Sequence, residues 1–411
     1  MNTSNLTIDN DRLIRRLEAL AKIGALDGGG CCRLALTDED RGGRDLVASW
    51  MAELGLDISV DGIGNVVGTR AGTVDGPPVM IGSHIDTVRT GGIYDGCLGV
   101  IAGLEVIETL NDAEIVSKRP LAVAFFTNEE GARFAPDMMG SAVHQGTLGL
   151  EDALAVTGID GAAVSDELEK IGYRGNAATG TERAHCFVEL HVEQGPVLDI
   201  EGTTIGVVEG VQGISWTEFV IGGVSNHAGT TPMRMRCDAG IVAARIAVEA
   251  RAIANDMGAD QVATVGVVEL KPNLVNVVPN RALITVDLRN TNEALLKDAE
   301  ARLFAYADKV AADEGVTLER RTLARFEPVE FSSDMVDLVE RSAKRQGLST
   351  RRMPSGAGHD AQMFAPNCPT AMIFVPSRDG ISHNIKEFTE PEDIRAGANV
   401  LLRVVLEKAN E

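Results

Sequence analysis

Short apolar runs that each end at a polar cluster constrain the fold of this chain more than any other feature. Four of them occur, at Val79–Ile81, Leu121–Thr127, Cys186–Leu190 and Ala371–Val375. Apolar runs without alternation are typical of strands buried on both faces of a parallel sheet. In such a sheet, ligands bind in the crevice formed by the loops at the carboxyl ends of the strands. The pattern therefore predicts an α/β domain with a mainly parallel sheet, helices on both faces, and functional residues where its strands end.

The polar residues that follow these runs are candidate metal ligands. They are His84, Asp95, Glu130, His191 and His383. Neutral imidazole and carboxylate suit zinc and similar metals. If Asp95 bridged, the set would hold two ions about 3.5 to 4 Å apart, which can ionise a water between them. Each residue alone also fits a solvated or structural role, but three of only seven histidines lie in such positions, so the set indicates a metal site.

Two further carboxylates have separate expected roles beside these ligands. Adjacent residues on an extended segment point in opposite directions, so we expect Glu129 to act as the general base while Glu130 binds metal. Asp86 lies two residues after His84. We expect its carboxylate to accept the other ring N–H of that histidine, which would fix the tautomer.

The chain resembles the amidase/hydantoinase/carbamoylase group of dinuclear-zinc hydrolases, which includes N-carbamoyl-L-amino acid hydrolases, β-ureidopropionases and allantoate amidohydrolases. The motifs that carry the resemblance run in order from residue 82 to 384 and are GSHIDT, GGIYDGCLGV, FTNEEGARFAPDMMGS, ELHVEQGPVLD, NHAGTTPM, SGAGHDA and FVPSRDGISHN. Histidine at position 191 separates this group from related peptidases and aminoacylases. Ile385 stands where many relatives have proline. The resemblance implies two divalent ions per subunit, with zinc, manganese, cobalt and nickel as candidates.

The resemblance also implies residues that act on the substrate. His227 would stabilise the oxyanion, Asn276 would hold the substrate, and Arg289 would clamp its carboxylate, which a planar guanidinium meets bidentately. Taken singly, these three fit turn or surface roles as well. Further substrate contacts are implied for the SGAGHDA loop and for the residue three after His191, namely Gly356, Gly358, His359 and Gln194.

The order of predicted elements divides the chain into two domains. A strand, helix, strand, strand, helix, strand order between residues 213 and 326 predicts an inserted ferredoxin-like α+β domain. We expect it to serve as a lid and dimerisation domain, with residues 1–212 and 327–411 forming the metal-binding catalytic domain. Amphipathic helices are predicted at 9–24 and 38–54, the second opened by Thr37 as its N-cap. A hairpin is predicted at 56–69.

Composition excludes several classes of partner. The net charge of −22 argues against nucleic acid and anionic membranes, because binders of phosphate need a basic surface. Six cysteines without regular spacing do not indicate a disulfide framework in a chain of this length. Charged residues occupy the N-terminus where a signal peptide would be apolar, and no run approaches the ~18 apolar residues of a membrane span. We therefore expect a cytoplasmic protein.

The sequence thus predicts a metal-dependent amidohydrolase that cleaves the carbamoyl C–N bond of an N-carbamoyl amino acid. Glu129, His227 and Asp86 are the expected catalytic set. Allantoate or ureidoglycolate hydrolysis is an alternative that uses the same residues, and N-acyl amino acid hydrolysis is a third. A non-catalytic protein that binds ureido acids is disfavoured because the base and all five ligand positions are present. The resemblance implies a homodimer with shared active sites, in which His227 acts on the neighbouring subunit's substrate.

Overall fold

The structure is a computed structural model that describes residues 5–179, 184–258 and 260–411. The chain divides into two compact units. The first consists of Met1–Gly210 and Glu330–Glu411, and the second is Val211–Val329. No helix in the described part of the chain has the length and apolarity that a bilayer crossing requires.

Helices and strands alternate along the chain. The helices before the second unit are α1 Asn10–Ala21, α2 Asp38–Glu53, α3 Cys97–Asp112, α4 Met139–Gln145, α5 Leu150–Leu154, α6 Val164–Ile171 and α7 Val197–Glu201. The strands of the same stretch are β1 Asp57–Val60, β2 Val66–Arg70, β3 Val79–His84, β4 Leu121–Phe126, β5 Cys186–Val192 and β6 Ile205–Val211. The second unit contributes β7 Gly213–Gly222, a 3₁₀ turn at Met233–Met235, α8 Ala239–Met257, β8 Val262–Lys271, β9 Arg281–Asn290, α9 Glu293–Glu314 and β10 Thr317–Phe326. The chain then forms β11 Val329–Glu330, α10 Ser333–Arg345, β12 Thr350–Ser355, α11 Asp360–Phe364, β13 Thr370–Val375, a 3₁₀ turn at Arg378–Gly380 and α12 Pro391–Asn410.

The first unit is built on a nine-stranded sheet with a parallel centre. Its order is β1-β2-β4-β3-β5-β13-β6-β11, with β12 paired to β6. The strands β4, β3, β5 and β13 run parallel to one another, and β2 and β6 flank them in antiparallel orientation. These four central strands are buried at every position. The predicted α/β class is confirmed, and the four apolar runs of the sequence are the four parallel strands.

Side chains alternate between the two faces of a sheet along each strand. Helices cover both of these faces. On one face, Ile81 and Val123 lie against Gly103 of α3, where a Cβ would meet both side chains. On the other face, the ring of Phe364 in α11 stacks on Phe187 at 3.9 Å between centroids and lies 5.4 Å from Phe126. Both faces of the central strands are therefore excluded from water.

The second unit has the predicted ferredoxin-like architecture. Its four-stranded antiparallel sheet has the order β10-β7-β9-β8, and α8 and α9 pack on it. Alternate residues of β9, including Ile284, Val286 and Leu288, form the core with the helices. Among the described residues, strand β8 pairs with β9 alone and therefore forms an edge of the sheet.

Local signals in the sequence explain several helix ends. Thr37 caps α2, as predicted, since its hydroxyl accepts the N–H of Asp40 at 3.3 Å. The helix ends at Glu53, and Gly55 follows with a φ of 74°, a conformation that glycine adopts without strain. Asp238 caps α8 in the same way as Thr37 caps α2.

Candidate metal centre

The four parallel strands place the candidate ligands at one end of the sheet. His84 is the last residue of β3 and His191 lies near the end of β5, while the turn after β4 carries Glu129 and Glu130. The loop after β13 carries His383. Because parallel strands end on the same side, residues far apart in sequence come together here.

Asp95 and two histidines form the first group of donors. The Oδ1 atom of Asp95 lies 3.2 Å from Nε2 of His191 and 3.6 Å from Nε2 of His84. Each histidine places its Nδ1 at a main-chain carbonyl, at 3.0 Å from Asp86 O for His84 and 2.9 Å from Val192 O for His191. Those carbonyls can only accept, so each Nδ1 carries a proton and Nε2 is the ring atom that a metal could use.

The second group of donors shares the same aspartate. The other oxygen of Asp95, Oδ2, lies 3.4 Å from Nε2 of His383, and Oε2 of Glu130 lies 3.3 Å from that nitrogen. In each group the three ligand atoms lie within 4.8 Å of one another. Asp95 therefore presents one oxygen to each group, which is the arrangement that a bridging carboxylate needs.

The charges of the described residues in this cluster fit a bound cation. Asp95 and Glu129 are buried, the side chain of Glu130 is 5% exposed, and the partners of their ion pairs are histidines. Burial and the neighbouring Asp95 carboxylate raise the pKa of Glu130 to about 8, whereas the hydrogen bond with Asp95 raises the pKa of His383 to about 9. Buried carboxylates are paired or bind metal ions, and a divalent ion would neutralise this concentration of negative charge. The donor set therefore fits the metals that imidazole and carboxylate favour.

Glu129 and Glu130 diverge because the segment is a turn, not the extended strand that was expected. Asn128 has a φ of 57°, and its side-chain amide donates to the carbonyls of Phe134 and Pro136. Asparagine tolerates this left-handed conformation better than most residues. Oε2 of Glu129 lies 3.3 Å from Nε2 of His84, while Glu130 faces the His383 group. The two carboxylates thus face different histidines because of this turn, and their separate roles stay predictions.

Asp86 supports the site differently from the expected contact. Its main-chain carbonyl accepts the ring N–H of His84. The nearer carboxylate oxygen lies 3.9 Å from Nδ1, which is too far for a hydrogen bond. The carboxylate instead accepts the main-chain N–H groups of Glu129 and Glu130 at 3.2 and 3.3 Å. Asp86 therefore fixes both the tautomer of His84 and the turn that carries the two glutamates.

Gln194 lies against the second group of donors. Its side-chain amide donates to Oδ2 of Asp95 at 2.8 Å, and its backbone has a φ of 58°. His383 has a similar φ of 52°. Non-glycine residues in this region are strained, and such strain is concentrated at functional sites. In the described structure the side-chain amide of Gln194 is directed at Asp95, a candidate metal ligand. The substrate contact assigned to Gln194 stays a prediction.

The SGAGHDA loop packs behind His191. The ring of His359 lies edge-on to that of His191 at 4.5 Å between centroids, and its Nε2 lies 2.9 Å from Oγ of Ser355. Burial holds the pKa of His359 well below its usual value. At the start of α11, the N–H of Ala361 donates to Oε2 of Glu189 at 2.8 Å. Roles of Gly356, Gly358 and His359 in substrate binding stay predictions.

The three residues assigned to the second unit lie on two adjacent loops and one strand. Nδ1 of His227 accepts the N–H groups of Gly229 and Thr230 at 3.1 and 3.2 Å, so its proton is on Nε2 and available to donate. Asn276 accepts the N–H of Ala228 through its carbonyl at 2.9 Å, which places its loop beside that of His227. Arg289 is the next-to-last residue of β9, and its guanidinium lies 2.9 Å from the Asp287 carboxylate. Their roles toward substrate stay predictions.

Glu189 is a residue of the site that sequence reasoning missed. It is fully buried, and Oε1 accepts the hydroxyl of Ser83 at 2.7 Å while Oε2 accepts the N–H of Ala361. It thus joins the strand of His84, the strand of His191 and the SGAGHDA loop. A charged residue within an otherwise apolar strand is rarely buried without a partner, and that signal could have identified it.

Comparisons with known proteins agree with this fold and site. Residues 80–407 match the model of peptidase family M20/M25/M40. The chain is 43% identical to an N-carbamoyl-L-amino-acid amidohydrolase of Rhizobium meliloti over 98% of both chains. It is 32% identical to an allantoate amidohydrolase of Bacillus subtilis, again over 98% of both. The crystal structure of an amidase of the hydantoinase/carbamoylase family from Burkholderia multivorans superposes with a TM-score of 0.96 at 45% identity, covering 99% of each chain.

These findings place the protein in the class of hydrolases that act on C–N bonds. The chain belongs to peptidase family M20/M25/M40 and, within it, to the hydantoinase/carbamoylase group of amidases. The resemblance drawn from the motifs is confirmed.

Proposed function

We propose that the protein is a dinuclear-metal amidohydrolase that cleaves the carbamoyl C–N bond of an N-carbamoyl amino acid. The observation that supports this most is the pair of donor groups sharing Asp95, with Glu129 beside the first group. The name of the Rhizobium meliloti relative supports the substrate class. Allantoate is the second candidate, supported by the name of the Bacillus subtilis relative.

His84, His191 and Asp95 would hold one ion, and Asp95, Glu130 and His383 the other. Ions in these positions, with zinc, manganese, cobalt and nickel as candidates, would supply Lewis acidity that acidifies a water and polarises a carbonyl oxygen. Glu129 is not needed as a ligand in either group, so its carboxylate remains available to move protons.

Glu129 performs the proton transfers of the proposed reaction. It takes a proton from the attacking water as the new C–O bond forms at the carbamoyl carbon, and it delivers that proton to the amino acid nitrogen as the C–N bond breaks. The products are the amino acid and carbamic acid, which decomposes to ammonia and carbon dioxide. Nε2–H of His227 donates to the developing oxyanion, Asn276 and Gln194 hold the substrate, and Arg289 binds its carboxylate.

We further propose a homodimer formed through the second unit, with His227 acting in trans. In the described structure, strand β8 pairs only with β9, so its other side is open, and Val262, Val267 and Val268 are 42, 39 and 56% exposed. Exposed apolar edge strands are templates for pairing with another chain, and a second copy of this strand would cover them. The six free cysteines support the expected reducing, cytoplasmic location.

A paired substitution tests the separation of roles. Glu129→Gln is expected to keep its metal content and to lose about 10² to 10⁴ in kcat, because it removes the base alone. Glu130→Gln, one residue along, is the matched control and is expected to lose metal. Metal analysis of both variants, together with ammonia release from N-carbamoyl-L-amino acids, N-carbamoyl-β-alanine, allantoate and ureidoglycolate, measures this and identifies the substrate. Metal loss or wild-type turnover in Glu129→Gln would show that the assignment is wrong.

A further inference from the structure

A buried glutamate that belongs to none of the predicted site residues lies directly behind Asp95. Glu387 is 5% exposed, and its Oε1 accepts the main-chain N–H groups of Tyr94 and Asp95, each at 3.1 Å. These contacts join the loop that carries the shared aspartate to the loop that carries His383. The carboxylate therefore holds the backbone from which the Asp95 side chain projects.

A hydroxyl forms a second connection between the same groups. Oγ of Ser382 lies 3.2 Å from Oδ2 of Asp95 and 3.4 Å from Oε2 of Glu387. The N–H of Glu387 donates to the carbonyl of Asn384 at 2.9 Å, which fixes the turn after His383. Asp95 is thus held through its main chain by Glu387 and through its side chain by the serine beside His383.

The space around Glu387 is shaped for its carboxylate. A Cβ at Gly92 would collide with that carboxylate, so the loop can pass it only because residue 92 has no side chain. Burying a carboxylate is costly unless hydrogen bonds compensate, and here main-chain N–H groups and a hydroxyl do so. The buried carboxylate thus joins the loop of Asp95 to the loop of His383.

We propose that Glu387 is a positioning residue that fixes the orientation of the Asp95 carboxylate and thereby the affinity of the site for its second ion. The inference rests on the proposed dinuclear centre. Asp95 serves both donor groups only while Oδ1 faces His191 and Oδ2 faces His383. Movement of its backbone would turn one oxygen away from its group. Residues that hold a ligand in this way typically contribute about 10-fold to 100-fold in metal affinity.

The test compares metal binding by Glu387→Ala, Glu387→Gln and a control. The amide of Glu387→Gln can still accept both N–H groups, so this variant is expected to bind two ions like the wild type. Glu387→Ala is expected to bind the second ion about 10-fold to 100-fold more weakly. Glu392→Ala, whose side chain is 74% exposed on α12, is the control and is expected to match the wild type. Titration of metal-free protein with Co²⁺, followed by visible absorption and metal analysis, measures the binding of each ion independently of catalytic activity.

The outcomes separate this inference from the proposed function. A wild type that binds no ion would refute the dinuclear centre itself. Two ions in the wild type, with the same affinities in Glu387→Ala, would overturn the role of Glu387 and leave the proposed function standing. If Glu387→Ala does not fold, Glu387→Asp decides, because it keeps the charge and withdraws the oxygens by one methylene. The second ion is then expected to bind more weakly in Glu387→Asp, and wild-type affinity would overturn the proposal.

Discussion

Replacement of His144 by glutamine is expected to make the protein less sensitive to acid, and the structure sets the size of the effect. His144 lies on α4 and is 6% exposed. Its ring packs against Phe126 and Phe364, with centroids 5.6 Å from both. Burial lowers its pKa from 6.5 to about 4, because an apolar environment disfavours the imidazolium. Its ring is therefore neutral at pH 7, and the Asp61 carboxylate 4.0 Å away does not form an ion pair with it.

The sign of the effect follows from the two states of the protein. The unfolded chain takes up a proton on His144 near pH 6.5, whereas the folded protein does so only near pH 4. The contribution of this group to stability is therefore complete above pH 6.5 and is lost as the pH falls towards 4. One unit of pKa difference corresponds to about 1.4 kcal/mol. At pH 5 the wild type should have lost about 2 kcal/mol through this group, relative to pH 8.

Urea unfolding followed by circular dichroism at pH 8, 7, 6 and 5 measures this effect, with chelator present so that metal release does not contribute. The free energy of unfolding of His144→Gln should rise relative to that of the wild type by about 2 kcal/mol between pH 8 and pH 5. Met139→Ala, which removes a fully buried side chain from the same helix, should differ from the wild type by a constant amount. A constant difference for His144→Gln would refute the reasoning.

Three further predictions concern the site. Chelation is expected to abolish hydrolysis and added manganese, cobalt or zinc to restore it; full activity in protein without detectable metal would contradict a metal centre. Gly96→Ala places a Cβ against the ring of His84 at a φ of 64° and should lower metal affinity at least about 10-fold, whereas Gly172→Ala, with a φ of 77° and open space around it, should affect stability alone. A heterodimer of Glu129→Ala and His227→Ala subunits should regain one active site if His227 acts in trans, and an inactive, verified heterodimer would leave only action within one chain.

The strands that carry the site could be predicted because strands buried on both faces consist mainly of apolar residues. β3, β4, β5 and β13 are buried at every position, so most of their residues are apolar. β6 was not predicted, because Gly206, Glu209 and Gly210 interrupt its apolar character. Helices such as α5 and α7, with five residues each, are too short to show a helical period.

The ligand candidates could be placed from the sequence because they directly follow strands that end together. Contacts made by the backbone could not be predicted from the sequence. The carbonyl of Asp86 takes the place expected for its carboxylate, which depends on the path of the loop and not on the residue type. Glu387 meets the N–H of Asp95 across 292 positions of the chain. No local pattern marks a glutamate in a polar loop as the partner of a backbone amide so far away.

The position of β13 within the large sheet has a consequence for synthesis on the ribosome. β13 lies between β5 and β6, yet it is translated about 160 residues after β6 ends. All neighbours of β6 in the sheet, namely β11, β12 and β13, are made after the second unit. At about 5 to 20 residues per second, β6 remains without a partner for on the order of 10 s. We therefore expect the second unit to fold first during translation, and the nascent first unit to depend on chaperones until its last strand emerges.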